Sequence, residues 1–351
     1  MSDSPMTASN DLDQVDTLND DTLVLDFLHQ AGITERLDRP GTTDVAINRP
    51  FEIWIDTPQG WVREDAPWLT LNLCWRVANS LCALNHRVLS AQTPIHTVEL
   101  PRGERGQIVM APACEKGTLS MTFRKPSLER FTLQDYINSG RYAQAQAVAA
   151  PRQDLAEWQL QMKEAHRSHD WIRFYELAFE NRQNIIIFGG PGSGKTTHGK
   201  SLIDMFPTHR RMVTIQEILE DDLRYHPNHV HLLYGSVATP KSLVASSLRM
   251  KPDHLFLSEL TGDEVWHFLE ILNTGTKGTV TTAHANDSEA GYARVCGLVK
   301  QSEVGKGLDY SYIERLVRTS FDVVVYMEKT MILEVHYEPE HKLALLSGKV
   351  A

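Results

Sequence analysis

The stretch NIIIFGGPGSGKTTHGK, residues 184–200, decides the fold. Ile185, Ile186, Ile187 and Phe188 form an unbroken apolar, largely β-branched run of the kind that makes a strand buried on both faces. From Lys195 onward the residues read as the opening of a helix. Gly189, Gly190, Gly192 and Gly194, with Pro191 and Ser193 between them, allow positive φ and let successive N–H groups point into one concavity. That concavity suits a chain of phosphates. Lys195 adds a mobile positive charge for the terminal phosphates, the Thr196 hydroxyl suits magnesium, and Thr197 continues the polar start of the helix. The spacing is G-x-x-x-x-G-K-T over residues 189–196, and it predicts a site for a nucleoside triphosphate with Mg2+.

Around this stretch the pattern repeats as strand, loop and helix: HGKSLIDMF, RMVTIQE, HLFLSEL, DEVWHFLEILN and GTVTTAHA. Such alternation indicates a parallel sheet wrapped by helices, an α/β class. Ligands in these sheets sit beyond the carboxyl ends of the strands, so acids that close a strand-like run face the phosphates. Glu217 closes MVTIQ and Glu259 follows HLFLS. Glu259 follows the cleaner apolar run and is the favoured base to orient an attacking water. Glu220, Asp221, Asp222, Asp263 and Glu264 read as solvated loop or helix-start acids. His284 ends a third run, TTAH, where its imidazole is placed to donate to a terminal phosphate.

Upstream lies a different texture. Residues 1–20 carry five aspartates and no basic residue, which reads as a solvated, disordered tail. Residues 21–142 read as a smaller mixed α/β domain with turns at Asn48-Arg49-Pro50 and Pro58-Gln59-Gly60, and residues 168–351 as the larger α/β domain. Residues 143–167, rich in Ala and Gln, read as a linker, either a plain helical connection or one long enough for a domain to pack on a neighbouring subunit. The net charge of -10 argues against non-specific nucleic-acid binding without excluding a local basic patch, and no direct specific nucleic-acid binding is expected. With no apolar run of about eighteen residues and no signal peptide, a cytosolic location is expected. The four cysteines make no C-x-x-C pair and read as buried free thiols.

Taken together, GGPGSGKTT, MVTIQE, SSLRMKPDHLFLSELTGDE and NTGTKGTVTTAHAN, in this order and at these separations, resemble the secretion-ATPase superfamily, and within it the VirB11 family of type IV secretion systems. TDVAINRPFEIWID, TFRKPSLERFTLQDYINSGRY and PNHVHLLYG extend the resemblance outside the nucleotide site, over most of the chain from about Leu23 to about Met327.

The resemblance implies a RecA-like P-loop NTPase core with a smaller N-terminal domain, hydrolysing ATP with Mg2+. It places residues 189–196 on the Walker A motif, Glu259 on an atypical Walker B, Glu217 on the second acid of an aspartate box and His284 on the second histidine of a histidine box. Arg124, in FRKPS, matches an arginine of the N-terminal domain that reaches the nucleotide phosphates, a task suited to a planar, permanent charge. It further implies a homo-hexameric ring, partners among other type IV secretion ATPases and inner-membrane components, and peripheral attachment to the inner membrane. Gln216, Thr261 and Thr276 stand where the family commonly has glutamate, arginine and histidine, and slower hydrolysis is expected from them. Two alternatives share part of the pattern: an assembly ATPase of the type II secretion or type IV pilus kind, and a nucleotide-gated scaffold with little turnover.

Overall fold

The computed structural model describes residues 11–126, 130–147, 154–220 and 222–348, with backbone alone over 11–20. By contact density the chain divides into two units. The first comprises the described residues up to Pro126 together with Glu217–Leu219 and Asn228–Lys251, and the second holds the remainder.

The first unit begins with α1 (Asp11–Gln30), which ends at Ala31 and Gly32, and continues through α2 (Ile33–Leu37). The acidic segment expected to be disordered is therefore helical from Asp11, while residues 1–10 lie outside the described residues. The later turns of α1 are anchored by Val24 and Leu28, both buried. Six strands follow: β1 (Asp44–Ile47), β2 (Glu52–Thr57), β3 (Gly60–Asp65), β4 (Ile95–Glu99), β5 (Arg105–Met110) and β6 (Leu119–Arg124). They form one antiparallel sheet in the order β3-β2-β1-β6-β5-β4. Helix α3 (Leu71–Leu84) buries Cys74, Val77, Ala78, Leu81 and Cys82, one stripe at helical spacing, in the same core as Val45, Ile47, Met121 and Phe123.

Beyond Pro126 the second unit runs through α4 (Leu133–Asn138), α5 (Glu157–Arg167), α6 (Trp171–Glu180), β7 (Ile185–Gly189), α7 (Lys195–Ile203) and β8 (Met212–Gln216). The linker expected over 143–167 is corrected in its second half. Met162 and Ala165 of α5 are buried in the second unit's core with Phe174, and His166 Nε2 meets the Val335 carbonyl at 2.6 Å. A helix with a stripe of apolar contacts on one domain belongs to that domain.

The chain then returns to the first unit as β9 (His229–Leu233) and α8 (Pro240–Ser247). This is a second departure from the expected boundaries, which assigned everything after residue 167 to the larger domain. Leu233 N donates to Ala113 O at 2.9 Å, Asn48 Nδ2 to Asn228 Oδ1 at 3.0 Å, and Gln107 Nε2 to Ser246 Oγ at 2.9 Å. Asn48, Asn228, Gln107 and Ser246 are buried, so these bonds are made away from water, where an unmade bond is expensive.

From Pro252 the second unit resumes with β10 (His254–Leu257), α9 (Glu264–Leu272), β11 (Val280–His284), α10 (Ser288–Gln301), α11 (Glu303–Lys306), α12 (Tyr310–Ser320), β12 (Val323–Glu328), β13 (Met331–His336) and α13 (Pro339–Leu346). Strands β11, β7 and β12 are parallel neighbours, with β13 antiparallel at the edge, and β8 pairs with β10 in parallel. All five residues of β7 are buried, as the apolar run requires. Cys74, Cys82, Cys114 and Cys296 are buried free thiols.

At the start of β10, His254 is fully buried. Its Nδ1 contacts Gly278 O at 2.7 Å, which makes Nδ1 the donor and leaves Nε2 to accept from Arg210 at 3.0 Å. Burial pushes its pKa down from the ordinary 6.5 to about 3. The unfolded chain then binds a proton that the folded chain refuses: the contribution is complete above pH 6.5 and is lost as pH falls toward 3. About 2 kcal/mol of stability is expected to disappear between pH 7 and pH 5 through this group. Urea titrations at the two pH values, on the wild type and on His254→Gln, check it. An equal pH dependence in both proteins would remove the assignment.

Candidate nucleotide site

Strand register assembles the site. Gly189, the last residue of β7, lies opposite His284 of β11 on one side and Met327 of β12 on the other. The ends of three parallel strands thus converge where the chain leaves β7 for the glycine-rich loop. Gly192 and Gly194 adopt φ of 70° and 88°, in the left-handed region that glycine enters without cost. Gly189 is constrained by proximity: a Cβ there would stand 2.4 Å from Met327 O and 2.5 Å from Ser193 Oγ.

The loop has the properties of an anion cradle. Helix α7 begins after Gly194 with no side-chain cap hydrogen bond from its N-cap, which leaves the partial positive charge of its first N–H groups suited to an anion. Space is open around Gly190 and Gly192. Ser193 is buried, yet its Oγ has no hydrogen-bond partner among the described residues. A buried hydroxyl without a partner costs free energy that a phosphate oxygen would recover. These residues fit a polyphosphate. Thr196 and Thr197, in the first turn of α7, are exposed and able to reach a ligand or its metal.

Lys195 is buried and turned back into the loop, where Nζ donates to Gly189 O at 3.0 Å and to Gly190 O at 2.9 Å. Its third contact is His284 Nδ1 at 3.2 Å, and His284 Nε2 lies 3.1 Å from Glu259 Oε1. An ammonium has only protons to offer, so Nδ1 accepts the Lys195 hydrogen, while Nε2 faces the Glu259 carboxylate at ion-pair distance. The result is a contact chain, Lys195 to His284 to Glu259. Desolvation holds the Lys195 pKa below the usual lysine value, and the Glu259 charge opposes that shift.

Glu259 is held by its neighbours rather than by the strand alone. The hydroxyls of Thr279, Thr281 and Thr282 donate to Leu255 O, Leu257 O and Ser258 O at 2.6, 2.6 and 2.9 Å, stitching β11 to β10. Leu260 N donates to Thr282 O at 2.8 Å, just past Glu259. Glu264, read from sequence as a solvated acid, is buried instead and accepts from Thr261 N at 3.0 Å and Gly262 N at 2.8 Å. It closes the loop behind Glu259. Position alone gives no signal for this, because an acid at a helix start reads the same whether it faces water or the preceding turn.

The remaining predicted residues lie elsewhere. Arg124 ends β6 in the first unit, half-exposed, with Nε donating to Asp44 Oδ1 at 2.9 Å. Glu217 follows β8, is exposed, and is counted with the first unit. Gln216 is buried: its amide donates to Thr214 Oγ1 at 2.9 Å and its carbonyl accepts from Glu220 N at 3.0 Å, so it shapes the turn after β8. Thr261 contacts Glu264, and Thr276 is partly buried in the loop before β11.

Comparison with known proteins gives the family. The family described as "Type II/IV secretion system protein" matches residues 149–333. The type IV secretion system protein VirB11 of Brucella suis is 35% identical over 324 residues, covering 88% of this chain and 89% of that protein. The type IV secretion system protein PtlH of Bordetella pertussis is 32% identical, covering 87% and 90%. Among solved structures, the VirB11 ATPase from the Brucella suis type IV secretion system, in complex with sulphate, superposes with a TM-score of 0.88 at 32% identity, covering 95% of this chain and 99% of that one. Both the nucleotide site and similarity along nearly the whole length lead to one assignment: the chain belongs to the VirB11 family of type IV secretion ATPases.

Proposed function

We propose that this ATPase works as a homo-hexameric ring whose ATP hydrolysis drives pilus assembly and substrate transfer across the cell envelope. The observation that carries the reading is the contact chain from Lys195 through His284 to Glu259 beside an uncapped helix start. In this reading Gly189, Gly190, Pro191, Gly192, Ser193 and Gly194 cradle the phosphates with their backbone, Lys195 and Thr197 flank them, and Thr196 holds Mg2+. The metal supplies charge neutralisation on the phosphates. Glu259 orients the attacking water and accepts its proton, and His284 fixes the direction of the Glu259 carboxylate. Glu217 is the second acid, and Arg124 brings a guanidinium to the charge that spreads over the transferred group.

The partners proposed are other ATPases and inner-membrane components of the same secretion system. Attachment to the inner membrane is proposed to be peripheral and cytoplasmic, since no described helix is long and apolar enough to cross a membrane. Light scattering on the full chain with and without ATP and Mg2+ tests the assembly. A particle six times the 39.7 kDa chain mass is expected with nucleotide. Steady phosphate release from a preparation that remains monomeric would overturn the ring.

A further inference from the structure

We infer that Asp44 is a positioning residue for ATP hydrolysis, acting by aiming the guanidinium of Arg124; the inference rests on the role proposed for Arg124. Asp44 opens β1, is 1% exposed, and sits in register with Arg124 of β6. A carboxylate that deep in an antiparallel sheet is costly unless both oxygens are matched. They are. Oδ1 accepts from Arg124 Nε at 2.9 Å, and Oδ2 accepts from Lys251 Nζ at 2.9 Å, with Thr43 Oγ1 also 2.9 Å away. Lys251 also reaches Asp56, whose carboxylate accepts from the Thr43 hydroxyl at 2.5 Å. Two carboxylates and two cations thus close a neutral network around one end of β1.

The manner of the Arg124 contact is informative. Structural Arg–carboxylate pairs are commonly bidentate through the terminal nitrogens. Among the described residues only Nε is engaged, and the side chain remains 52% exposed. The two Nη groups, which are the fork that matches a phosphate, make no hydrogen bond among the described residues. An arginine tethered by Nε has surrendered much of its rotamer freedom before any anion arrives, so less is lost when one binds.

The placement along the chain points the same way. Arg124 lies two residues before Pro126, where the first unit hands over to the second, and Lys251 is the last residue before the chain crosses again at Pro252. Lys125 N donates to Thr43 O at 2.9 Å, so the backbone beside Arg124 is also tied to β1. The Thr43–Asp44 corner therefore holds both departing segments, and an arginine anchored there has a defined direction relative to the first unit.

The test is a double-mutant cycle in steady-state ATP hydrolysis on the full chain. Arg124→Ala is expected to lower kcat, and Asp44→Asn to lower it about tenfold with a smaller change in KM, since misdirection of a catalytic charge costs rate. The double variant is expected to equal Arg124→Ala alone, because Asp44 has nothing left to aim. Additive losses, or full activity of a folded Asp44→Asn, would overturn the inference while leaving the role of Arg124 intact. Full activity of Arg124→Ala would instead remove the proposed role of that arginine. Should Asp44→Asn fail to fold, added guanidinium ion is the second readout on Arg124→Ala, whose half-exposed position tolerates truncation. Saturable recovery of turnover is expected from a cation docking on Asp44, and absence of recovery counts against it.

Discussion

Lys195→Ala is expected to lower kcat for ATP hydrolysis by at least about a thousandfold while the protein stays folded. The lysine is buried, and its ammonium is matched by two loop carbonyls and one imidazole nitrogen, none of them a formal negative charge. That arrangement keeps a full positive charge in a partly desolvated loop without neutralising it. Desolvation holding its pKa below the usual value is the signature of that tension, which an arriving phosphate relieves. Deleting the charge removes both the attraction for the terminal phosphates and the donor to His284. Affinity is expected to fall roughly tenfold or more, in keeping with the worth of a charge-assisted hydrogen bond. Phosphate release, calorimetric ATP titration and a melting curve separate these effects. Turnover within tenfold of wild type in a folded variant would relocate the site.

Glu259→Gln has the opposite signature: kcat down by about 10²–10⁴ with ATP affinity kept or improved. Glutamine keeps an oxygen where the carboxylate lies 3.1 Å from His284 Nε2, so the packing around the imidazole is retained. What is lost is the capacity to take a proton from water. Removing a negative charge near the phosphates also removes repulsion, which is why binding is not expected to suffer. Single-turnover hydrolysis alongside equilibrium binding measures both quantities. A variant that hydrolyses ATP within a few fold of the wild-type rate would transfer the water-orienting role to another acid, with Glu217 the first to examine.

The nucleotide loop was legible because its chemistry is local. Strand, glycines, lysine and threonine occupy consecutive positions, and the backbone preference of each is expressed wherever the fold puts them. Glu259 and His284 were legible at one remove, since an acid or imidazole at the end of an apolar run reaches the carboxyl edge of any parallel sheet. The domain boundaries were less so. Residues 228–251 carry nothing that distinguishes a strand and helix of one unit from those of the other. The deciding bonds, such as Asn48 to Asn228, join residues 180 apart in sequence. Helix α5 reads as linker because its buried face is only Met162 and Ala165. Its place in the core depends on Phe174 and on a histidine that finds a carbonyl of β13.

By itself the sequence determined the glycine-rich loop between β7 and α7, the α/β class and the strand-end acid and histidine, because all of these follow from backbone preference and periodicity within short windows. Only the tertiary structure decided that Lys195 reaches Glu259 through His284, that Glu264 closes the loop behind Glu259, and that Arg124 is held by Asp44. The physical reason is that a hydrogen bond between side chains depends on where two distant backbones cross. Asp44 meets Arg124 across 80 residues and Lys251 across 207, and no short window contains either pair.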